Sequence, residues 1–529
     1  MEESTNANGK SMCFAEAILD TLSNHPETIG MIDAESGAKV TFAEMKERSV
    51  RCALWLLGLG VGESDVVAVS TPLHTNDYLP YLATLYINAV LNPWPHDPSD
   101  AIVEHFLDAC RPKVIFASKE SVERLAAAAR RRGVSCRFAL MDGEHADYPS
   151  LDDIASGQES AGGQAEAASG FRCRVPSEPR RKVSAIYLSS GTTGTPKAIL
   201  LSYHCLARRY SEEYGMGVGM NCLWYASLQL NVCRSLISSA ILLRCTRVLS
   251  RSHGPEETGR VVESHKVNFV YWTPYYLTSC YQARVLARRD FSTVATIAIA
   301  GAKPDGALLE ECRRLLPGTF IKNSYGITEA GGLVAQQTEA RRSLGSVGFA
   351  CSGVELRVVD PDTGRALGAN REGELHVRTD TAMLGYLGAP DKTRETLDED
   401  GWLHTGDLGF YDERGEITVT ARIKEIIRTR SLLLSSSEFE EPLMQHPAVS
   451  ECAVVAVDHP VDVERPFAFV VRARHARVTA EELMEFSASR DERFRLTAGL
   501  AFVDELPYTA SGKKCLRKLQ EMAKAYVRQ

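Results

Sequence analysis

The stretch Ser189-Ser190-Gly191-Thr192-Thr193-Gly194-Thr195-Pro196-Lys197 concentrates the chain's most suggestive chemistry. Two glycines let a backbone turn tightly and come close to a ligand. Five hydroxyl side chains and the loop's N–H groups supply donors, and Lys197 ends it with a positive charge. Successive backbone N–H donors around a concavity cradle phosphate oxygens. The glycine spacing differs from the G-x-x-x-x-G-K-S/T phosphate loop, and a proline precedes the lysine. As a bare pattern the stretch also fits a Gly/Thr surface turn. It follows a strand-like apolar run, Ala185-Ile186-Tyr187-Leu188.

Five further elements follow in order: Asn323-Ser324-Tyr325-Gly326-Ile327-Thr328-Glu329; Gly373-Glu374-Leu375-His376-Val377-Arg378 with Gly385-Tyr386; Gly401-Trp402-Leu403-His404-Thr405-Gly406-Asp407; Ala421-Arg422-Ile423-Lys424-Glu425; and Pro507-Tyr508-Thr509-Ala510-Ser511-Gly512-Lys513. With the first stretch, their order and spacing resemble the adenylate-forming enzymes. That family comprises acyl-CoA synthetases, 4-coumarate:CoA ligases, beetle luciferases and peptide-synthetase adenylation domains. The resemblance runs over nearly the whole chain. It implies ATP-dependent activation of a carboxylic acid to an acyl-adenylate, then transfer to coenzyme A.

Such a reaction brings two anions together, so positioning and electrostatics must do most of the work. The resemblance assigns Ser189, Ser190, Gly191, Thr192, Thr193, Gly194, Thr195 and Lys197 to the β- and γ-phosphates. Glu329 would ligate Mg²⁺, a hard cation that takes carboxylate oxygen, and Thr328 would donate to the α-phosphate. Thr-Glu is also an ordinary helix start with an acid in its first turn. Tyr325 would face adenine, with Gly301 and Ala302 on the other side. Asp407 would accept both ribose hydroxyls; taken alone, it is an Asp in a Gly-Asp turn. Arg422 would reach the ribose or phosphate, and Lys424 occupies the hinge position. Lys513 would bridge substrate carboxylate and α-phosphate once the small domain closes.

The acid pocket would draw on Trp224 to Arg234, Tyr271 to Tyr276 and Ala330 to Val334. These residues suit an aromatic or medium-to-long apolar acid. Gly331 and Gly332 would leave space there. His204 and Asn231 are candidate polar liners or satisfied buried groups.

Four places depart from the family pattern, one being Ala300-Gly301-Ala302-Lys303-Pro304, where the family usually reads GG-A-P. Ser431, seven residues past Lys424, stands where ligases carry a glycine beside the pantetheine path. Ser436 replaces a proline, and Ala421 replaces the hinge motif's glycine. The adenylation residues are better kept than those for thioester formation. An adenylating enzyme with a non-CoA fate of the acyl-AMP, luciferase-like or otherwise, is therefore the alternative, and a nucleotide-binding pseudo-enzyme the rival from another class.

Bulk properties bound the class. The 529 residues suggest more than one domain. Hydrophobic content of 44% and charged content of 24% are those of a globular chain. A net charge of −8 argues against nucleic acid as a partner. No apolar run reaches the roughly 18 residues of a membrane span. The fourteen cysteines show no C-x-x-C pair and no His/Cys cluster with zinc spacing. They are expected to be reduced, mostly buried thiols. The start lacks signal-peptide character, and the end is not the S-K-L peroxisomal address. A cytoplasmic location is the expectation.

The elements that must position these residues are legible in outline. Thr41-Phe42-Ala43-Glu44 forms a capping box opening a helix to about Leu57. Apolar runs at 65–70, 113–117, 137–141, 184–188, 269–272 and 296–300 alternate with helical patterns. That pattern predicts an α/β fold with mostly parallel, helix-wrapped sheets. Ala126 to Arg132 is expected to present a solvated helix face, and 156–179 to form a mobile surface loop. After Asp407 the texture becomes that of a small α+β unit. A hairpin turns at Phe410 to Ile417, and helices are capped at Ser435 and Thr479. The expected domains are 1–421, a large adenylate-forming domain, and 425–529, a small mobile lid.

Overall fold

The structure, a computed structural model, describes residues 13–158, 170–188, 197–207, 214–428, 433–508 and 514–527. The chain forms two compact units. The first comprises Met1–Ser190, Thr195–Glu355 and Val377–Leu403; the second comprises Gly191–Gly194, Leu356–His376 and His404–Gln529.

The first unit is built on two large sheets. In the seven-stranded sheet, Val66–Ser70, Val90–Trp94, Val114–Ala117, Arg137–Leu140 and Val183–Leu188 run parallel. Ala198–Ser202 and Gly385–Tyr386 extend it by antiparallel pairing. In the nine-stranded sheet the parallel core is Ile29–Asp33, Thr246–Leu249, Asn221–Trp224, Phe269–Trp272, Thr296–Ile299 and Phe320–Ile327. Antiparallel strands close its two edges. The expected strands appear within a residue or two. Runs such as Val114–Ala117 are buried throughout, as parallel strands covered on both faces must be.

Local chemistry sets the helices. Thr41 accepts from the Glu44 N–H while Glu44 reaches back to the Thr41 N–H, and the capped helix runs Phe42–Gly58. The Ala/Arg run lies on the helix Val122–Arg131, whose Ala126, Ala128 and Ala129 are buried. Only its arginines, Arg130 to Arg132, form the solvated face. The 156–179 segment also departs from expectation over its described part. The Arg174 N–H donates to the Tyr86 carbonyl at 2.8 Å, and Phe171 packs 5.9 Å from the Tyr86 ring. Residues 170–174 are thus tied to the helix Tyr78–Ile87.

One ion pair lies deep in this unit. Arg247 donates to both Asp77 oxygens, at 2.7 and 3.1 Å, with side-chain exposures of 5% and 2%. Its guanidinium also lies over Trp224, 4.8 Å from the ring centroid. Asp77 precedes the helix Tyr78–Ile87, and Arg247 sits on the strand Thr246–Leu249.

The second unit holds most of a five-stranded sheet, ordered Ala366–Leu367, Val354–Val359, Gly373–Thr379, Leu403–Tyr411 and Ile417–Arg422. The hairpin around Tyr411 and Ile417 is antiparallel. Beyond it lies a smaller α+β body. Val449–His459 pairs antiparallel with Val463–Arg472, which pairs parallel with Gly499–Phe502. Strand alternation splits its core. Val454 and Val470 pack with Phe439, Leu443 and Leu483 of two helices. Val455, Phe467 and Phe469 pack with Leu519 and Ala523 of the helix Leu516–Val527. Ser435 and Thr479 are N-caps with full capping boxes.

None of the fourteen cysteines is in a disulfide, and most are buried. Among the described residues no helix is long and apolar enough to cross a membrane.

The Asp77–Arg247 pair makes a stability prediction. Asp77→Ala strands a buried guanidinium and is expected to cost about 3–5 kcal/mol. Replacing both residues with apolar ones should recover most of that loss, as measured by urea unfolding.

Candidate active site

In the nine-stranded sheet Tyr271 lies beside Trp224, Trp272 beside Ile299, and Ile299 beside Asn323. The carboxyl ends of four parallel strands therefore line up, where open α/β sheets bind ligands. Just past those ends come Tyr225, Thr273, Gly301 with Ala302, and Ser324 with Tyr325. Gly301 and Ala302 are exposed, and Tyr325 is half-buried. The predicted adenine-side residues thus share one edge.

The strand Phe320–Ile327 overruns its parallel neighbour and folds into a hairpin with Gly332–Gln336. Thr328 and Glu329 lie in the one-turn 3₁₀ helix at its tip. That turn is held by three successive backbone carbonyls. The Met383 N–H donates to Glu329 O at 2.7 Å. The Thr381 hydroxyl donates to Ala330 O at 3.0 Å, and the Asn231 amide to Gly331 O at 2.9 Å. Gly326 lets the strands approach, since an added Cβ would lie 2.6 Å from Gly332 O. Gly331 adopts φ +85°, and a Cβ there would meet Thr381 O at 2.5 Å. Its missing side chain therefore serves packing, not space for an acid as expected.

Glu329 has a partner that the sequence reading did not single out. The Tyr386 hydroxyl donates to Glu329 Oε1 at 3.0 Å. Lys197 Nζ lies 4.5 Å from the centroid of the same ring. Burial, reinforced by Glu329, pushes the Tyr386 phenol well above its ordinary range, so it stays a donor at neutral pH. Tyr386 joins the residue that ends the phosphate-loop stretch to the candidate metal-binding carboxylate. Its only sequence signal was a place in the Gly385-Tyr386 motif. Ser189 to Pro196 lie outside the described residues.

The candidate acid-pocket residues separate by burial. Trp224 and Trp272 are fully buried core, and Trp224 is covered by Arg247. A second aromatic group comprises buried Tyr225, half-buried Tyr276 and exposed His253. Tyr225 lies 4.8 Å from each of the other two rings. Partial desolvation lowers the His253 pKa, with Glu35 opposing, so the imidazole is neutral at neutral pH. His204 is bound to Asp380 at 2.8 Å. Asn231 accepts from Arg234 while fixing Gly331. Both candidate liners are satisfied within the fold.

The second unit holds the other predicted contacts. Asp407 is 4% exposed and pairs in register with Arg422, whose Nε donates to Asp407 Oδ1 at 2.7 Å. A diol and the guanidinium would share that carboxylate. Lys424 lies in the short turn Ile423–Glu425. The Ser436 hydroxyl, at the family's proline position, donates to Glu425 O at 3.2 Å. Lys513 and Ser431 lie outside the described residues.

The donor set fits the chemistry expected of it. A carboxylate on a fixed turn is a hard ligand for Mg²⁺, which commonly takes one or two protein carboxylates plus substrate phosphates. A buried carboxylate suits a ribose diol.

A family model described as AMP-binding enzyme matches residues 19–387, and one described as AMP-binding enzyme C-terminal domain matches 438–513. 4-Coumarate–CoA ligase 2 of Oryza sativa subsp. japonica is 30% identical, covering 96% of this chain and 91% of the relative. Luciferin 4-monooxygenase of Nipponoluciola cruciata is 28% identical over 94% and 91%. The structure of ATP-bound MatB from Rhodopseudomonas palustris superposes with a TM-score of 0.86. It covers 97% of this chain and 99% of that one at 24% identity, a likeness of fold.

The Tyr386–Glu329 bond can be tested directly. Tyr386→Phe removes one hydrogen bond worth about 1 kcal/mol. It should raise the Mg²⁺ concentration for half-maximal nucleotide turnover about fivefold, with the melting temperature nearly unchanged.

Proposed function

This chain belongs to the AMP-binding enzyme family, the adenylate-forming acid–CoA ligases, and from that premise we propose that it activates an aromatic or medium-to-long-chain carboxylic acid with ATP and passes the acyl group to coenzyme A. The observation that carries the reading is the fixed turn that presents Glu329, bonded to Tyr386 beneath Lys197. An acid carboxylate oxygen attacks the α-phosphorus, and the bond to the β-phosphate breaks to release pyrophosphate. The thiol of coenzyme A then attacks the acyl carbon, and AMP leaves.

Each residue has a role in that scheme. Ser189, Ser190, Gly191, Thr192, Thr193, Gly194, Thr195 and Lys197 hold the β- and γ-phosphates, and Thr328 donates to the α-phosphate. Mg²⁺ bound at Glu329 offsets phosphate charge. Tyr325, Gly301 and Ala302 take adenine, and Asp407 with Arg422 takes the ribose. Lys513 bridges the two reacting anions, with Lys424 as the hinge between the domains 1–421 and 425–529. The packed rings of Tyr225 and half-buried Tyr276 support an aromatic or apolar acid. Free thiols throughout accord with a reducing, cytoplasmic setting.

A second reading keeps adenylation but sends the acyl-AMP to another acceptor. It is favoured by Ser431, and by Ser436 bonded across to the hinge turn. A side chain at position 431 would crowd a thin pantetheine arm.

Pyrophosphate release with ATP and Mg²⁺, across a panel of acids with and without coenzyme A, separates the readings. Acid-dependent release, trapped by hydroxylamine as acyl hydroxamate and accelerated by coenzyme A with thioester formed, is the expected result. Release indifferent to coenzyme A supports the second reading. No hydroxamate with any acid, despite ATP binding, overturns both. Lys513→Ala should cut release on the order of a hundredfold while leaving AMP affinity within a few-fold.

A further inference from the structure

Beside Asp407 lies a buried polar cluster that the scheme above does not use. Glu374 and His376 sit two apart on the strand Gly373–Thr379, so their side chains share a face. Glu374 Oε1 accepts the Gly406 N–H at 2.9 Å, and Oε2 lies 3.1 Å from His376 Nε2. The two side chains are 15% and 6% exposed. From the strand Val354–Val359, Arg357 Nη2 approaches His376 Nδ1 at 3.4 Å. A guanidinium can only donate. Nδ1 must therefore be the lone-pair nitrogen, which assigns the proton to Nε2, aimed at Glu374. The His404 ring stacks on His376 at 4.1 Å and 16°.

We propose that Glu374, braced by His376, is the positioning residue that sets the strand segment Thr405–Gly406–Asp407 and so aims the Asp407 carboxylate. This rests on the reading of Asp407 as the ribose-binding group. The segment lies in the strand Leu403–Tyr411, where Asp407 pairs in register with Arg422. The Thr405 hydroxyl donates to Leu375 O at 2.7 Å and accepts the Asp407 N–H at 3.0 Å. Glu374 fixes the residue between them. Gly406 has φ +69°, a state glycine adopts without strain, so the backbone's own preferences do not fix its path there and hydrogen bonds must. Burial alone would raise the Glu374 pKa, but the His376 and Gly406 hydrogen bonds outweigh it and hold the acid below its usual range. It is a carboxylate at neutral pH and accepts at both oxygens.

A metal ion is the rival occupant. Ligand atoms of Glu374, His376 and His404 all lie within 4.8 Å of one another. Yet two imidazoles stacked nearly parallel cannot both hold one ion in their ring planes, and Arg357 places a cation against the cluster. The geometry points to positioning.

The test is calorimetric binding of ATP, 2′-deoxyATP and 3′-deoxyATP to the full chain, comparing wild type with E374Q, D407N and the double variant. In E374Q the amide would set a donor against His376 N–H, and the opposite tautomer would set one against Arg357. ATP affinity should fall about tenfold, and discrimination against both deoxynucleotides should collapse. The double variant should be no worse than D407N, as for residues acting through one another. Two further variants guard against misfolding. H376F keeps a ring but no donor and should behave like E374Q; H376Q offers both a donor and an acceptor and should stay near wild type. Unchanged ribose discrimination in D407N would sink the Asp407 reading itself. Loss in D407N but not in E374Q or H376F would overturn the proposal alone. So would weaker ATP binding with ribose discrimination intact. Stoichiometric Zn²⁺ binding to wild type, lost in H376F, would reassign the cluster as a metal site.

Discussion

Three successive carbonyls, of Glu329, Ala330 and Gly331, are each taken by a donor from elsewhere in the first unit. The rest of that unit's candidate site depends on this constraint. A turn at the end of an overrunning strand would otherwise be free to move, and with it the Glu329 carboxylate. Two of the donors, Thr381 and Met383, lie on the segment that continues into Gly385–Tyr386. That strand pairs with Ala198–Ser202, directly after Lys197. One hydrogen-bonded path therefore connects the phosphate-loop end, the tyrosine and the carboxylate. A reaction that brings two anions together needs such a fixed arrangement, because an electrostatic contribution depends on charges already being in place.

The sequence made part of this legible and not the rest. Strands buried on both faces announce themselves as short apolar runs, so the parallel sheets were readable from 66–70 or 296–299. Capping boxes at Thr41, Ser435 and Thr479 were readable because the signal is local, four residues long. Contacts between distant segments leave no such signature. Tyr386 meets Glu329 across 57 positions, and Asn231 reaches Gly331 across 100. Reading Gly331 as room for a substrate failed because glycine serves close packing as readily as open space. Trp224 failed as a pocket residue because an aromatic at a strand end can equally be core.

The second unit shows the same logic on adjacent strands. Asp407 is paired in register with Arg422 on one side. On the other, the strand segment before it is tied to Glu374 and Leu375 through Gly406 and Thr405. A buried carboxylate held on both flanks loses little freedom on meeting a ligand.

Isotope exchange between pyrophosphate and ATP tests adenylation most directly, because it needs neither coenzyme A nor a correct guess at the acceptor. The account predicts exchange that appears only with a suitable carboxylic acid and Mg²⁺, and that collapses in Glu329→Gln. Tight ATP binding with no acid-dependent exchange across aromatic and aliphatic acids would contradict it.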